Sequence, residues 1–132
     1  MTHTALLVRT DGTTEEFDLY ASGDPLEILR RKIGCEYVDA IRLGPFSYVW
    51  VDEDPWLAAP NPPENDYAVP LVIAATHSVL GRYLYGNVVF TGGADENGDT
   101  VGLTAGQLAH LNQSLAEVRD VIATEPDRRK KP

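Results

Sequence analysis

The chain of 132 residues has a single cysteine, few basic residues before its last eight positions and no long apolar run. The lone Cys35 excludes an intramolecular disulfide and is typical of a reducing compartment. The longest mostly apolar run, residues 69–75, is interrupted by Pro70 and is far shorter than the ~20 residues that cross a bilayer. The N-terminus also lacks a basic region followed by an apolar core, as a secretion signal would have. We therefore expect a cytoplasmic protein without a membrane span.

Positive charge is scarce, with 11 Lys and Arg against 20 Asp and Glu and a formal net charge of -9. Residues 1–124 hold 18 of these acids and 7 of these bases, so this part of the chain carries -11. A surface this acidic repels phosphates, which disfavours direct binding of nucleic acid. We predict a single domain over residues 1–124 and a flexible basic tail over 125–132. The tail either keeps the chain end soluble or touches an acidic partner.

Five segments have the β-branched and aromatic content of strands: residues 5–10, 13–20, 37–43, 46–51 and 83–91. Asp11-Gly12 separates the first two segments, and this dipeptide is typical of a type I′ hairpin turn. Apolar and polar residues alternate in the second segment, which indicates a sheet with one buried and one solvated face. Gly92-Gly93 and Asn97-Gly98 are predicted to turn the chain after the last segment.

Three segments carry helix signals, at about residues 25–33, 70–80 and 105–123. Asp24 is suited to cap the first helix, with Pro25 at its first position, and Gly34 is suited to end it. Asn65 or Asp66 can cap the second helix, although Pro70 indicates that regular structure begins nearer to that proline.

Thr104 and Gln107 have the spacing of a capping box at the start of the third helix. An apolar stripe follows along this helix: Leu108, Leu111, Leu115, Val118 and Ile122. The stripe either packs on the sheet or pairs with a second subunit, so the protein is expected to be a monomer or a homodimer through this helix. The predicted architecture is one α+β domain, with a largely antiparallel sheet covered on one face by about three helices and ending in an amphipathic helix.

Residues 52–66 are acidic and rich in proline, which predicts an ordered or semi-rigid loop. Loops of this length inside a compact domain are often binding loops. Trp56, if exposed, would be suited to anchor a contact with another protein. The candidate binding residues are Asp52, Glu53, Asp54, Trp56, Asn65 and Asp66.

Asp95, Asn97 and Asp99 place oxygen ligands at alternate positions, as in a calcium loop. An EF-hand counted from Asp95 needs glycine at its sixth and glutamate at its twelfth position, where Thr100 and Gly106 stand. The same residue types are common in hairpin turns for backbone reasons. We therefore predict a turn here and no metal site.

No other pattern in the sequence selects a catalytic or cofactor site. Gly92-Gly93 is followed by acidic residues rather than by a helix with a lysine, which disfavours a phosphate loop. Cys35 with His77 or His110 would be a nucleophile and base pair, but nothing in their spacing selects them. The sequence therefore predicts no catalytic residues, no metal and no cofactor, and we expect a protein that is not an enzyme.

The order of an ALLV strand, a short helix, two strands and a proline-rich loop, followed by GNVVFTGGADENGDTVGLT, covers residues 5–115. This arrangement resembles a domain-of-unknown-function family of small acidic proteins from actinobacteria, their phages and plasmids. The resemblance implies no transferable activity. It implies a mobile-element setting and, for a phage-encoded chain, the host cytoplasm.

Two functional hypotheses follow from these observations. The first is an accessory protein that binds a host protein through an acidic surface, in its sharpest version by mimicking the charge of DNA. The alternative is a module that binds a nucleotide or metabolite in a pocket beneath the proline-rich loop and near residues 91–93. An exposed Trp56 would favour the first hypothesis.

Overall fold

A computed structural model describes residues 3–76 and 83–124. Its elements, in chain order, are β1 (Thr4–Val8), β2 (Thr14–Asp18), α1 (Pro25–Ile33), β3 (Val38–Arg42), β4 (Ser47–Asp52), α2 (Pro55–Ala58), α3 (Ala68–Thr76), β5 (Val88–Gly92) and α4 (Ala105–Thr124). The strands form one sheet in the order β2-β1-β5-β4-β3, and every neighbouring pair is antiparallel. The predicted α+β class, the antiparallel sheet and the C-terminal helix are confirmed. None of the helices in these two ranges has the length and apolar character needed to cross a bilayer.

The helices cover both faces of the sheet, so the prediction that they cover one face is wrong. Helix α1 packs Ile28 and Leu29 against Leu7 and Val89 on one face. Helices α3 and α4 pack on the opposite face, where Phe90 lies in their shared core. The reason is in the two central strands: β1 and β5 are buried at every position, so neither face of the sheet can be left to solvent. The predicted alternation holds only for the edge strand β2.

The first hairpin forms as predicted, but its turn is longer than a type I′ turn. The Arg9 amide donates to the Thr13 carbonyl at 2.9 Å, which leaves three residues in the loop. Gly12 has a φ of 86°, the left-handed conformation that closes such a loop. Its carbonyl accepts hydrogen bonds from the Arg119 guanidinium at 2.6 and 3.0 Å. These bonds tie α4 to the hairpin.

The predicted helix caps of α1 and α4 are confirmed. At α1 the Asp24 carboxylate accepts from the Leu26 amide at 3.0 Å, and Gly34 ends the helix with a φ of 85°. At α4 the capping box is reciprocal, with bonds of 2.9 and 3.1 Å between Thr104 and Gln107. Helix α3 begins at Ala68, so Pro70 lies in its first turn, where a missing amide costs no helical hydrogen bond. Residues 77–80 of the predicted second helix, and the predicted tail 125–132, lie outside the described ranges.

Contrary to the prediction, Gly92 and Gly93 do not form a turn. Gly92 is paired with Ser47 in the sheet, and a Cβ atom on it would lie 2.4 Å from the Gly102 carbonyl oxygen. The Gly93 carbonyl accepts from the Val101 amide at 2.8 Å, so residues 101–102 cross directly over the end of β5. Gly92 therefore allows this segment to approach closely, Gly93 does the same for the backbone at Pro45 and Phe46, and the turn itself falls at Asp95–Asp99.

Candidate functional site

A cleft of about 660 Å³ lies where β4 leaves the sheet. One wall is the end of α1 and its connection to β3, including Cys35 and Tyr37. The other wall is the start of the proline-rich segment, where Asp52, Glu53, Asp54 and Leu57 line the cleft. The Glu53 amide donates to the Tyr37 carbonyl at 3.0 Å, so the sheet pairing continues to the floor of this cleft. The rigid sheet thus positions both walls.

The two tryptophans have opposite environments. Trp50 is only 9% exposed, and its indole Nε1 donates to the Thr91 hydroxyl at 2.9 Å. Trp56, at the start of α2, is 54% exposed, and the neighbouring Leu57 is 75% exposed. Pro55 opens this four-residue helix, which is too short to bury both of its large side chains. Trp56 therefore meets the condition set by the sequence for an anchor residue.

Two tyrosines extend the exposed apolar surface around Trp56. The Tyr85 ring meets the Trp56 ring edge-on, with 5.5 Å between their centroids, and the Tyr83 ring lies 6.3 Å from that of Tyr85. We call Trp56, Leu57, Tyr83 and Tyr85 the aromatic patch. Strand β5 begins only at Val88, so the predicted strand over 83–91 was too long. It assigned both tyrosines to the strand, although they precede it. The sequence signal for these tyrosines was their spacing of two residues before an apolar strand. The same spacing is typical of residues within a strand, so it did not indicate an exposed patch.

Four carboxylates line the cleft beside the aromatic patch: Glu36, Asp52, Glu53 and Asp54. The Asp52 carboxylate accepts from the Asp54 amide at 2.9 Å, which bends the chain out of β4. No ion pair joins any of the four to another residue within 3–76 or 83–124. Of the two arginines in the cleft wall, Arg31 already binds Glu27 at 2.6 Å. The cleft therefore carries an excess of negative charge.

Asn65, a candidate binding residue, is placed inside the protein. Its side chain is 1% exposed, and its amide nitrogen donates to the carbonyls of Val8 and Gly86 at 3.0 and 2.9 Å. Its amide oxygen accepts from the Ala68 amide at 3.1 Å, as the predicted helix cap would. Asn65 thus joins three parts of the fold: β1, α3 and the segment that precedes β5. Asp66, the next residue, is half-buried. Of the candidate residues, Asp52, Glu53 and Asp54 line the cleft, and Trp56 is the chain neighbour of Leu57, which also lines it.

A second cavity of about 370 Å³ lies between α3, α4 and the turn before β4. Phe90 and Leu111 line it on the inside, and Phe46 and His110 lie at its rim. Thr91 also borders this cavity, whereas the proline-rich segment borders the cleft. The two landmarks of the ligand hypothesis therefore belong to different cavities.

The Asp95–Asp99 segment is a turn held by its own carboxylate. Asp95 accepts hydrogen bonds from the amides of Asn97 and Asp99 at 2.9 and 3.0 Å, and Gly98 has a φ of 82°. This arrangement accounts for the alternating polar residues through backbone hydrogen bonding. Across the described part of the chain, no group of three or more His, Cys, Asp or Glu side chains is placed to hold a metal ion.

Cys35 is held as a neutral thiol in the cleft wall. Its Sγ donates to the Tyr37 carbonyl at 3.3 Å. Burial, together with the nearby Asp52 carboxylate, raises the pKa of the thiol from 9.0 to about 11. His110 borders the second cavity rather than the cleft, and His77 lies outside the described ranges. Cys35 and His110 therefore do not share a cavity.

This pKa predicts slow alkylation of Cys35. At pH 8 we expect iodoacetamide to react roughly 100-fold more slowly with the folded protein than with the urea-unfolded chain, because a pKa two units higher lowers the thiolate fraction by that factor. Raising the pH from 8 to 10 should accelerate the folded reaction throughout. The unfolded reaction should level off above its lower pKa. Mass spectrometry follows the alkylation. Equal rates for the folded and unfolded chains at pH 8 would contradict the raised pKa of Cys35.

A family model described as a domain of unknown function (DUF3846) matches residues 1–116, which include strands β1 to β5 and the cleft. No curated protein and no solved structure matches the chain.

Proposed function

The chain belongs to the DUF3846 family of unknown function, and from this premise we propose that it is a non-enzymatic accessory protein that binds another protein. The binding surface is the aromatic patch together with the acidic cleft beside it. In the setting that the sequence resemblance implies, an actinobacterial phage or plasmid, the partner is a host protein of the cytoplasm. The protein needs no metal or cofactor for this role.

The exposed Trp56 is the observation that supports this proposal. A tryptophan offers a large apolar area, and covering such area is worth roughly 25 cal/mol per Å² removed from water. Interface anchors are enriched in tryptophan and tyrosine near the centre of a patch, with charged residues at the rim. Leu57, the exposed neighbour of Trp56, lines the cleft together with the carboxylates of Asp52, Glu53 and Asp54, which supply such a rim.

The charge of the surface favours a basic partner. A formal net charge of -11 over residues 1–124 accelerates the approach of a positively charged protein and repels acidic ones. In the sharper version of the proposal, the carboxylates occupy a basic groove that otherwise binds DNA. That version predicts that inhibition of a DNA-binding partner weakens as salt is added. Inhibition that is independent of salt would exclude it.

We expect a Trp56→Ala and Asp52→Ala double variant to lose a host partner. Because truncating a hot-spot residue costs about 2 kcal/mol or more, the dissociation constant should rise at least ~30-fold and the captured amount should fall accordingly. The measurement is affinity capture from actinobacterial lysate with quantitative mass spectrometry. Phe46→Ala is the matched control, since Phe46 is 74% exposed but borders the second cavity. It should retain the partner. Identical partner lists for the wild type and the double variant would count against the surface.

A second candidate function is the binding of a small ligand in the second cavity. Its volume of about 370 Å³ and its mainly apolar lining with a few polar rim groups, including Gln107 and His110, are suited to a small molecule. Thermal-shift screening against nucleotides and metabolites tests it. Stabilisation of several degrees by one compound would favour this function, and Phe46→Ala should then reduce the shift while Trp56→Ala leaves it unchanged.

Self-association through α4 is a third proposal. Leu111, Ser114 and Leu115 pack inward, whereas Val121 is exposed near the end of the helix. Light scattering distinguishes a monomer from a homodimer, and Val121→Asp should dissociate a dimer that uses this face.

A further inference from the structure

Strand β3 is an open edge of the sheet, adjacent to the cleft. In the strand order, β3 pairs with β4 on one side and has no strand on the other among the described residues. In an antiparallel pair, the backbone amide and carbonyl of every second residue bond to the neighbouring strand. The backbone groups of the residues between them point away from that strand. The Tyr37 carbonyl accepts from Glu53, and the Leu43 amide donates to Ser47, so the odd-numbered residues of β3 bond inward. Val38, Ala40 and Arg42 therefore direct their backbone amides and carbonyls outward.

These outward groups are available to another chain. Ala40 and Arg42 are exposed, and within residues 3–76 and 83–124 no hydrogen bond uses the outward backbone groups of Val38, Ala40 or Arg42. An unpaired row of amides and carbonyls is a template for an additional strand. Partners that bind in this way gain affinity from main-chain hydrogen bonds and specificity from the side chains that reach nearby pockets.

We propose that an extended, lysine- and arginine-bearing segment of the partner adds to β3 as a sixth strand and continues over the acidic cleft. The inference rests on the proposed protein-binding function and names the chemistry of the partner. The cleft begins at Tyr37, the residue that precedes β3, so an added strand runs directly into it. Main-chain pairing holds the segment along β3, and the aromatic patch borders the cleft that receives its basic side chains.

Charge decides which kind of segment fits. Glu36, Asp52, Glu53 and Asp54 line the cleft without ion pairs inside the described chain, while Arg31 is engaged by Glu27. Basic side chains entering the cleft would pair with these carboxylates, and acidic ones would be repelled. The opposite edge strand, β2, differs because its Glu15 is already bound by both Arg9 and Lys32.

The first test replaces one outward amide. Ala40→Pro removes an amide that makes no bond within the sheet, so an edge strand tolerates it, whereas Ala40→Val retains the amide. The probe is the synthetic peptide Lys-Val-Lys-Val-Lys-Val-Lys, with Glu-Val-Glu-Val-Glu-Val-Glu as its charge control. We expect the lysine peptide to bind the wild type and Ala40→Val with affinities within ~3-fold, to bind Ala40→Pro at least ~10-fold more weakly, and the glutamate peptide not to bind. Thermal unfolding of both variants verifies that they are folded.

The second test reads the edge directly by amide hydrogen exchange. Saturation with the lysine peptide should slow exchange of the Val38, Ala40 and Arg42 amides at least ~10-fold, because each amide gains a hydrogen bond or is shielded from water. Thr14, Glu16 and Asp18, the outward residues of β2, are the internal control and should be unchanged.

The outcomes separate this inference from the proposed function. If the lysine peptide does not bind, or if it binds without protecting β3 and equally well to Ala40→Pro, strand addition is overturned. If Trp56→Ala weakens binding in that second case, the protein-binding surface stands without the added strand. Protection of β3 together with loss in Ala40→Pro supports the inference. If Trp56→Ala is then without effect, the aromatic patch is not part of the binding surface.

Discussion

Replacing Asn65 with alanine is expected to lower the free energy of unfolding by about 4 kcal/mol, because buried polar groups that lose their partners each cost about 1 to 3 kcal/mol. The variant removes the bonds to the Val8 and Gly86 carbonyls, while the Ala68 amide loses the side-chain acceptor and keeps the Asn65 backbone carbonyl at 3.3 Å. These groups lie where the Asn65 side chain is 1% exposed, so water cannot readily replace it. Urea unfolding followed by circular dichroism measures the difference.

Two further variants make the Asn65 test specific. Asn61→Ala changes an exposed asparagine of the same proline-rich segment and should alter stability by less than about 0.5 kcal/mol. Asn65→Asp keeps the oxygen that caps α3 but replaces both donated hydrogen bonds with carboxylate contacts to carbonyl oxygens. It should be at least as destabilising as alanine at neutral pH, and less so in mild acid, where the carboxyl is protonated. A small effect of Asn65→Ala would show that this side chain does not join the three elements.

Replacing Gly92 with alanine is expected to cost about 3 kcal/mol of unfolding free energy, the upper part of the range for overpacked sites. The added Cβ would lie 2.4 Å from the Gly102 carbonyl oxygen and 2.9 Å from that of Val101. Both contacts are with backbone atoms, so relief requires the segment over β5 to move. That segment also donates from the Leu103 amide to the Thr4 carbonyl at 2.7 Å, which couples any movement to β1.

Gly106→Ala is the matched control with the opposite sign. Gly106 lies in the first turn of α4, and a Cβ on it would have its nearest neighbour, the Thr104 hydroxyl, at 3.9 Å. Alanine there should stabilise the protein by about 0.5 to 1 kcal/mol, because it lowers the backbone entropy lost on helix formation. Chemical unfolding of both variants under the same conditions gives the comparison. A Gly92→Ala variant as stable as Gly106→Ala would contradict the close approach.

The proposed function and its further inference concern the same end of the molecule. The cleft, the aromatic patch and the open edge of β3 meet around Tyr37 and residues 52–57. In the proposed binding mode, the patch would provide apolar area, the carboxylates would select for positive charge, and the edge would provide main-chain hydrogen bonds. A partner that uses all of them would be an extended basic segment with an apolar side chain placed to meet Trp56.

Local chemistry in the sequence was sufficient for the five strands, for α1, α3 and α4, and for several of their ends, but the short helix α2 was missed. Asp24, Gly34 and the Thr104 and Gln107 pair act within a few residues of themselves, so their spacing predicted caps that the structure contains. The antiparallel α+β class followed from the strand and helix signals in the same way. Among the candidate site residues, exposure of Trp56 was left open by the sequence, since exposure depends on what packs beside it.

Tertiary contacts decided the rest. Helices on both faces of the sheet, the burial of Asn65 and the crossing of residues 101–102 over Gly92 all depend on residues distant in the chain. The sequence by itself therefore determined most of the elements, the acidic charge and the family likeness, because these are set by neighbouring residues and composition. Only the tertiary structure decided which tryptophan is exposed, which strands lie at the edges of the sheet and where the cleft carboxylates gather, because each results from packing between remote segments.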